Sequence, residues 1–203
     1  VAYRSEISRR YIKQANAVFV CVEAQKVNKE ELETISAVLS FSAHDKRKVF
    51  IVATHWDTMN DPVKDWAEQR DYLVKKLPGP AFYDSAEMAD ANILHSSAFI
   101  HNLCRDYDTL SEEALMPLMR FGLTMRCLNS LTLTKDDIQK LDDYSNIHQI
   151  RALIQDRLLK NYSELLYGDV KRQYDELFHL LRRNATDLRA SYQAQIDATG
   201  KDL

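Results

Sequence analysis

The sequence predicts an α/β fold, a partial parallel sheet with flanking helices that is followed by long α-helices of a bundle. Three observations carry that expectation. Residues 17–22 and 48–53 are short apolar runs rich in β-branched side chains and too short for buried helices, and residues 93–98 read as a third, shorter strand. Segments of helical periodicity separate them, and such alternation implies parallel pairing through right-handed crossovers. From about Ser111 onward only helical patterns follow.

Along the chain, Ile7, Tyr11, Ile12 and Ala15 stand near helical spacing among Arg4, Arg9, Arg10 and Lys13, which predicts an amphipathic helix. Ala17-Val18-Phe19-Val20-Cys21-Val22 then predicts a strand covered on both faces, with Cys21 an inert core thiol. Asn28 with Glu31 three residues on is a capping-box variant, and Leu32, Ile35, Val38 and Leu39 repeat at steps of three and four, so a helix follows. Residues 48–53 predict a second buried strand, ending at the polar group Thr54-His55-Trp56-Asp57. Asp61 with Pro62 opens the next helix, because proline at the first helical position loses no bond; Trp66, Tyr72, Leu73 and Leu77 form its inner face. Pro78-Gly79-Pro80 ends it, and an irregular acidic stretch leads to the third strand.

Beyond that strand, Ser111 with Glu112 and Glu113, and Thr134 with Asp136 and Asp137, mark helix starts where a hydroxyl accepts from backbone and carboxylates oppose the dipole. Ser145 precedes Ile147, Ile150, Leu153 and Ile154. From about Asp169, Val170, Tyr174, Leu177, Leu181, Leu188 and Tyr192 recur at helical intervals. Roughly 25 such residues would run about 38 Å, longer than a sheet-covering helix needs, so this helix wants partner helices. The expected organisation is residues 1–130 for the sheet-bearing part, 131–168 for closing helices and 169–203 for the start of a bundle.

Composition narrows the function. Hydrophobic residues make up 45% and charged residues 28% of the 203, the proportions of a globular chain in water. The net charge of −3 creates no field that would draw in nucleic acid. No apolar run approaches the roughly 20 residues that span a bilayer. The three cysteines lack a CxxC pair, and His95, His101 and Cys104 match no standard zinc spacing, so neither a disulfide framework nor a metal ligand is expected. Glycine, at only 4 residues, never stands in a GxxxxGK(S/T) or GxGxxG setting, so the chain holds no glycine-rich phosphate cradle. Arg182 and Arg183 share their helix with Asp175, Glu176 and Asp187, a solvated mixed-charge face.

In an open α/β sheet, ligands sit beyond the carboxyl ends of the strands, where Thr54-His55-Trp56-Asp57 stands. A carboxylate there can accept from both the N1 imino and N2 amino groups of guanine, at about 1.5–3 kcal/mol per charge-assisted bond. Adenine does not offer those donors in that arrangement. The competing role for Asp57 is structural, as a cap of the turn or helix that follows.

Thr54-His55-Trp56-Asp57 resembles the Asn/Thr-Lys-x-Asp base-recognition motif of GTPases, and Ser97-Ala98 resembles their second base-recognition element, whose backbone amides contact guanine O6. By that resemblance Asp57 reads the guanine edge, Thr54 braces the loop, and Ser97 and Ala98 close the base pocket. His55 takes the place of the family's lysine, and an imidazole can also stack on a purine. Ala15-Asn16-Ala17-Val18-Phe19-Val20-Cys21-Val22 is similar to the segment after switch II in dynamin-like GTPases. The stretch from Asn146-Ile147-His148-Gln149-Ile150-Arg151 to Leu159, leading into the last helix, is similar to their exit into the neck and helical bundle, especially in bacterial members.

The resemblance implies the C-terminal half of a P-loop-GTPase-like domain that binds GTP or GDP, with hydrolysis driving self-association and membrane remodelling. It implies a cytoplasmic protein, peripheral at the inner membrane face, whose lipid contacts and Mg²⁺ site use residues outside this chain. The P-loop, switch I and the DxxG of switch II are then expected before Val1, and no residue of the chain is expected to be catalytic. Two other expectations stand beside this one: a helical protein-interaction module on a degenerate GTPase-like fold, and a soluble P-loop GTPase without a membrane role.

Overall fold

The computed structural model describes residues 10–13, 15–25, 27–42, 45–128, 132–159 and 162–199. The chain divides into two compact units, residues 1–154 and 155–203, so the division falls within the segment assigned above to closing helices. Of the expected first helix, residues 10–13 are helical and residues 3–9 lie outside the described part.

In the first unit, β1 (Val18–Glu23), β2 (Val49–Thr54) and β3 (Ile93–His95) form a parallel sheet in the order β1-β2-β3. Val18 pairs with Val49 and Glu23 with Thr54, while Ile51 pairs with Ile93 and Ala53 with His95. The carboxyl ends of all three strands therefore lie along one edge of the sheet. The coarse class, a small parallel sheet flanked by helices, is as the alternation predicts.

Between β1 and β2 runs α1 (Lys29–Phe41), started by the complete Asn28–Glu31 capping box. Between β2 and β3 run α2 (Pro62–Lys76) and α3 (Ala86–Asn92). Ile35 and Leu39 of α1, Leu73 of α2 and Ala89 of α3 close on Val49, Ile51 and Ala53 of β2 in one fully buried cluster. Each Leu or Ile buried there contributes about 1.5–3 kcal/mol. Tyr83, also fully buried, donates its hydroxyl to the Val49 carbonyl at 2.7 Å, beside Asn92 Nδ2 at 3.1 Å.

Three expectations need correction. β1 is not covered on both faces: Val20 and Val22 point inward, while Phe19, Cys21 and Glu23 are exposed. An edge strand with one open face alternates with period two, and Phe19 and Cys21 hide the alternation because they are themselves apolar. Cys21 is accordingly an exposed thiol, not a core one. The acidic stretch after Gly79 contains α3, capped by the Ser85 side chain accepting from the Met88 amide. The third strand stops at His95, because Ser97 already caps the next helix by accepting from the Ile100 amide at 3.1 Å.

That next helix is α4 (Ala98–Arg105), followed by α5 (Glu112–Thr124), α6 (Lys135–Ser145) and α7 (Ile147–Ile154). Ser111 caps α5, and Thr134 with Asp137 forms a capping box on α6. Helix α4 packs on α6. Leu118 and Phe121 of α5 and Leu141 of α6 join the core.

The second unit holds a wide helical turn at Gln155–Leu159 and then α8 (Tyr162–Thr199). Helix α8 begins seven residues before the expected Asp169 and at 38 residues spans about 57 Å. Tyr174, Leu177, Leu181, Leu188 and Tyr192 are all exposed on it. Among the described residues, no helix is long and apolar enough to cross a membrane.

Candidate functional site

The loop after β2 is built from backbone outward. Thr54, the last residue of β2, donates its hydroxyl to the Val22 carbonyl at 3.0 Å, and its own carbonyl accepts from the Ala24 amide at 2.9 Å. The ends of β1 and β2 are thereby locked together. His55 follows in the left-handed region, at φ 58° and ψ 25°, exposed to solvent. Such a conformation is strained for most non-glycine residues and persists where the surroundings hold it. Here the Thr58 amide and hydroxyl donate to the His55 carbonyl at 3.1 and 2.7 Å. Gln25 Nε2 donates in turn to the Thr58 carbonyl and hydroxyl at 3.1 and 2.9 Å.

The left-handed turn drives Trp56 inward, where it is 2% exposed, and sets Asp57 half-buried behind it. Asp57 Oδ1 and Trp56 Nε1 are both buried and have no hydrogen-bond partner among the described residues. Asp57 does not cap the helix that follows: Asp61 caps α2, accepting from the Lys64 amide at 3.3 Å.

On the neighbouring strand, the Ser96 amide donates to the Ala53 carbonyl at 2.9 Å, carrying the pairing one residue past β3. Ser97 is buried, with its hydroxyl engaged in capping α4 and its amide donating to the Ser145 carbonyl at 2.9 Å. Ala98 is exposed at the first position of α4, where a helix leaves its amide without an internal acceptor. The sheet thus sets Thr54–Asp57 and Ser97–Ala98 at the carboxyl ends of adjacent strands.

Beside them lies a feature the sequence did not suggest. The His95 imidazole stands between Trp56 and Trp66, with ring centroids 4.6 and 5.0 Å away, and Asn146 Nδ2 lies 2.9 Å from its Nε2. Burial, with the nearby charge of Arg70 adding to it, holds His95 down at about pKa 4, so the ring is neutral near pH 7. These three rings, with Tyr144, Asn146 and Gln149, border a cavity of about 540 Å³. None of Thr54, His55, Asp57, Ser97 and Ala98 lines it. A second, more polar cavity of about 620 Å³ adjoins the turn through Gln25 and Thr58 and is bordered by Asp65, Glu68 and Gln69. No local sequence signal marks His95, because its neighbours come from three separated segments.

Fold and loop together define a parallel α/β protein with a braced polar turn and a partnerless carboxylate oxygen at the carboxyl end of its central strand. No protein-family model matches the chain, and no curated protein or solved structure matches it.

Proposed function

We propose that the chain is the base-recognising half of a guanine-nucleotide-binding domain of the dynamin-like GTPase kind, in which GTP hydrolysis is coupled to self-assembly and membrane remodelling. The observation that carries this reading is Asp57 Oδ1, buried without a donor at the carboxyl end of β2. Leaving such an acceptor bare costs about 1–3 kcal/mol, and the N1–H and N2–H groups of guanine are donors of the right kind and spacing to satisfy the carboxylate. Thr54 braces the turn, the exposed His55 offers a ring face for stacking on the base, and the Ala98 amide is the donor for guanine O6, beside Ser97.

With no glycine-rich phosphate cradle in these 203 residues, the chain contributes base selection. Phosphate binding, Mg²⁺ and hydrolysis fall to residues outside it. The exposed apolar residues of α8 suit packing against other helices, in a bundle or in self-association.

A second reading, a helical interaction module on a degenerate GTPase-like fold, is favoured by one observation: the cavity beside His95 avoids all five base-site residues. Titration of the chain with GTP and with ATP, followed by NMR shifts in the wild type and in Asp57→Ala, separates the two. Guanine reading requires GTP to bind more tightly than ATP and the substitution to weaken GTP at least about 10- to 100-fold, the equivalent of one charge-assisted bond. Equal binding of both nucleotides, or indifference to the substitution, rejects it. Co-sedimentation with anionic vesicles, with and without GTP, separates the membrane-associated GTPase from a soluble one.

A further inference from the structure

Away from the braced turn, three helices bring two imidazoles onto one carboxylate. His101 Nδ1 of α4 lies 2.6 Å from Asp142 Oδ1, and His148 Nε2 of α7 lies 2.7 Å from Asp142 Oδ2 of α6. The three donor atoms lie within 4.8 Å of one another. The geometry points to a binding site for a zinc-class divalent ion, held by His101, Asp142 and His148.

The local sequence explains the convergence. Asn146 ends α6 in the left-handed region at φ 63°, which asparagine tolerates better than most residues. The chain reverses there, and His148 returns over Asp142 one turn back on α6. Packing of α4 on α6 supplies His101 from the core side. Ser145, fully buried, donates its hydroxyl to Asp142 Oδ1 at 3.3 Å, the outer-shell support that orients a ligating carboxylate.

Exposure grades across the cluster: the side chains of His101 and Asp142 are 11% and 15% exposed, and that of His148 is 50% exposed. Two donors are therefore largely desolvated, where attraction to a cation is less screened, while the third leaves an entry path and a fourth position for water. Nitrogen and carboxylate bonds to zinc are about 2.0–2.2 Å, which sets tetrahedral donors about 3.3 Å apart. Rotations of the exposed His148 and of the Asp142 carboxyl supply that opening. Two imidazoles and one carboxylate suit Zn²⁺, Co²⁺ or Ni²⁺ rather than Mg²⁺ or Ca²⁺, which take oxygen donors. Binding displaces whatever protons the facing ring nitrogens carry, so the ion takes the place of the two hydrogen bonds to Asp142.

The test is calorimetric titration of the whole chain with Zn²⁺, backed by the visible absorption of added Co²⁺, in the wild type, His148→Ala, Asp142→Asn and His179→Ala. His179 is an exposed histidine on α8 and serves as control. One equivalent of Zn²⁺ should bind the wild type and the control alike, with affinity at least about tenfold weaker in His148→Ala and Asp142→Asn, since even outer-shell changes cost that much. Should Asp142→Asn fail to fold by circular dichroism, the surface variant His148→Ala decides alone. An adventitious ion only, meaning non-saturating binding or binding that His179→Ala weakens as much as His148→Ala does, overturns the assignment, as does the absence of binding.

Discussion

The Ser97 amide donates to the Ser145 carbonyl at 2.9 Å, joining the turn after β3 to the last residue of α6. On the other side, the Thr54 hydroxyl joins the end of β2 to Val22 of β1. Both flanks of the proposed base site are therefore fixed by bonds within the protein, while between them Asp57 Oδ1, like the neighbouring Trp56 Nε1, lacks a partner among the described residues. A scaffold set before a ligand arrives loses less freedom on binding. It also leaves the unpaired acceptor as a standing cost in the free protein.

That cost predicts the sign of a stability change. Removing a buried, unsatisfied carboxylate oxygen relieves a penalty of about 1–3 kcal/mol, so Asp57→Ala should raise the urea midpoint of the nucleotide-free chain or leave it unchanged. A residue held for structure would behave oppositely. A loss of more than about 1 kcal/mol on this substitution would show that Asp57 supports the fold and not a ligand.

His95 predicts an acid transition. Its pKa falls from the ordinary 6.5 to about 4 in the folded chain, so below 6.5 the unfolded state binds the extra proton. Stability from this group is present above pH 6.5 and is lost as pH falls toward 4, by up to about 3 kcal/mol at 1.36 kcal/mol per unit. His95→Phe keeps a ring between Trp56 and Trp66 but takes up no proton, and should flatten the pH dependence of the urea midpoint between 6.5 and 4. The Asp142 carboxyl acts in a different window. Burial raises its pKa, but hydrogen bonds from His101 and His148 outweigh that and hold it below the usual aspartate range. Its contribution is therefore lost only at lower pH. An unchanged slope in His95→Phe would mean that His95 titrates normally in the folded protein.

What could be read in advance was local. Asn28 with Glu31 and Asp61 with Pro62 announce α1 and α2 because cap and helix are neighbours in sequence. The run in β2 is unbroken because that strand is buried on both faces. The position of Phe19 and Cys21 depends on β1 lying at the sheet's edge, which no run of residue types encodes. Helix α3 is seven residues long, too short to display a period, and Gly168 inside α8 imitates a boundary. Of the candidate site, the place of Thr54 and Asp57 was legible from a strand followed by a polar group. The enclosure of His95 and the meeting of His101 with Asp142 were not, since they join residues from separate segments of the chain.

Gly122 in α5 predicts a case where packing overrides propensity. The turn after α5 folds back on it: the Cys127 amide donates to the Gly122 carbonyl at 3.1 Å, and Arg126 takes a left-handed φ of 55°. A Cβ at position 122 would lie 2.5 Å from Leu128 Cδ1 and 2.6 Å from its Cγ. Alanine gains about 1 kcal/mol over glycine inside a helix, whereas overpacking costs about 1–3 kcal/mol. Because the clash reaches Cγ as well as a methyl, swinging the end of the leucine does not relieve it, and the second effect should win. Gly122→Ala is expected to lower stability by about 1 kcal/mol in urea denaturation. Leu128→Ala should then cost less in the Gly122→Ala background than in the wild type, a coupling that a double-mutant cycle reads directly. Stabilisation by Gly122→Ala, or strictly additive effects, would show that the turn does not lie against this face of α5.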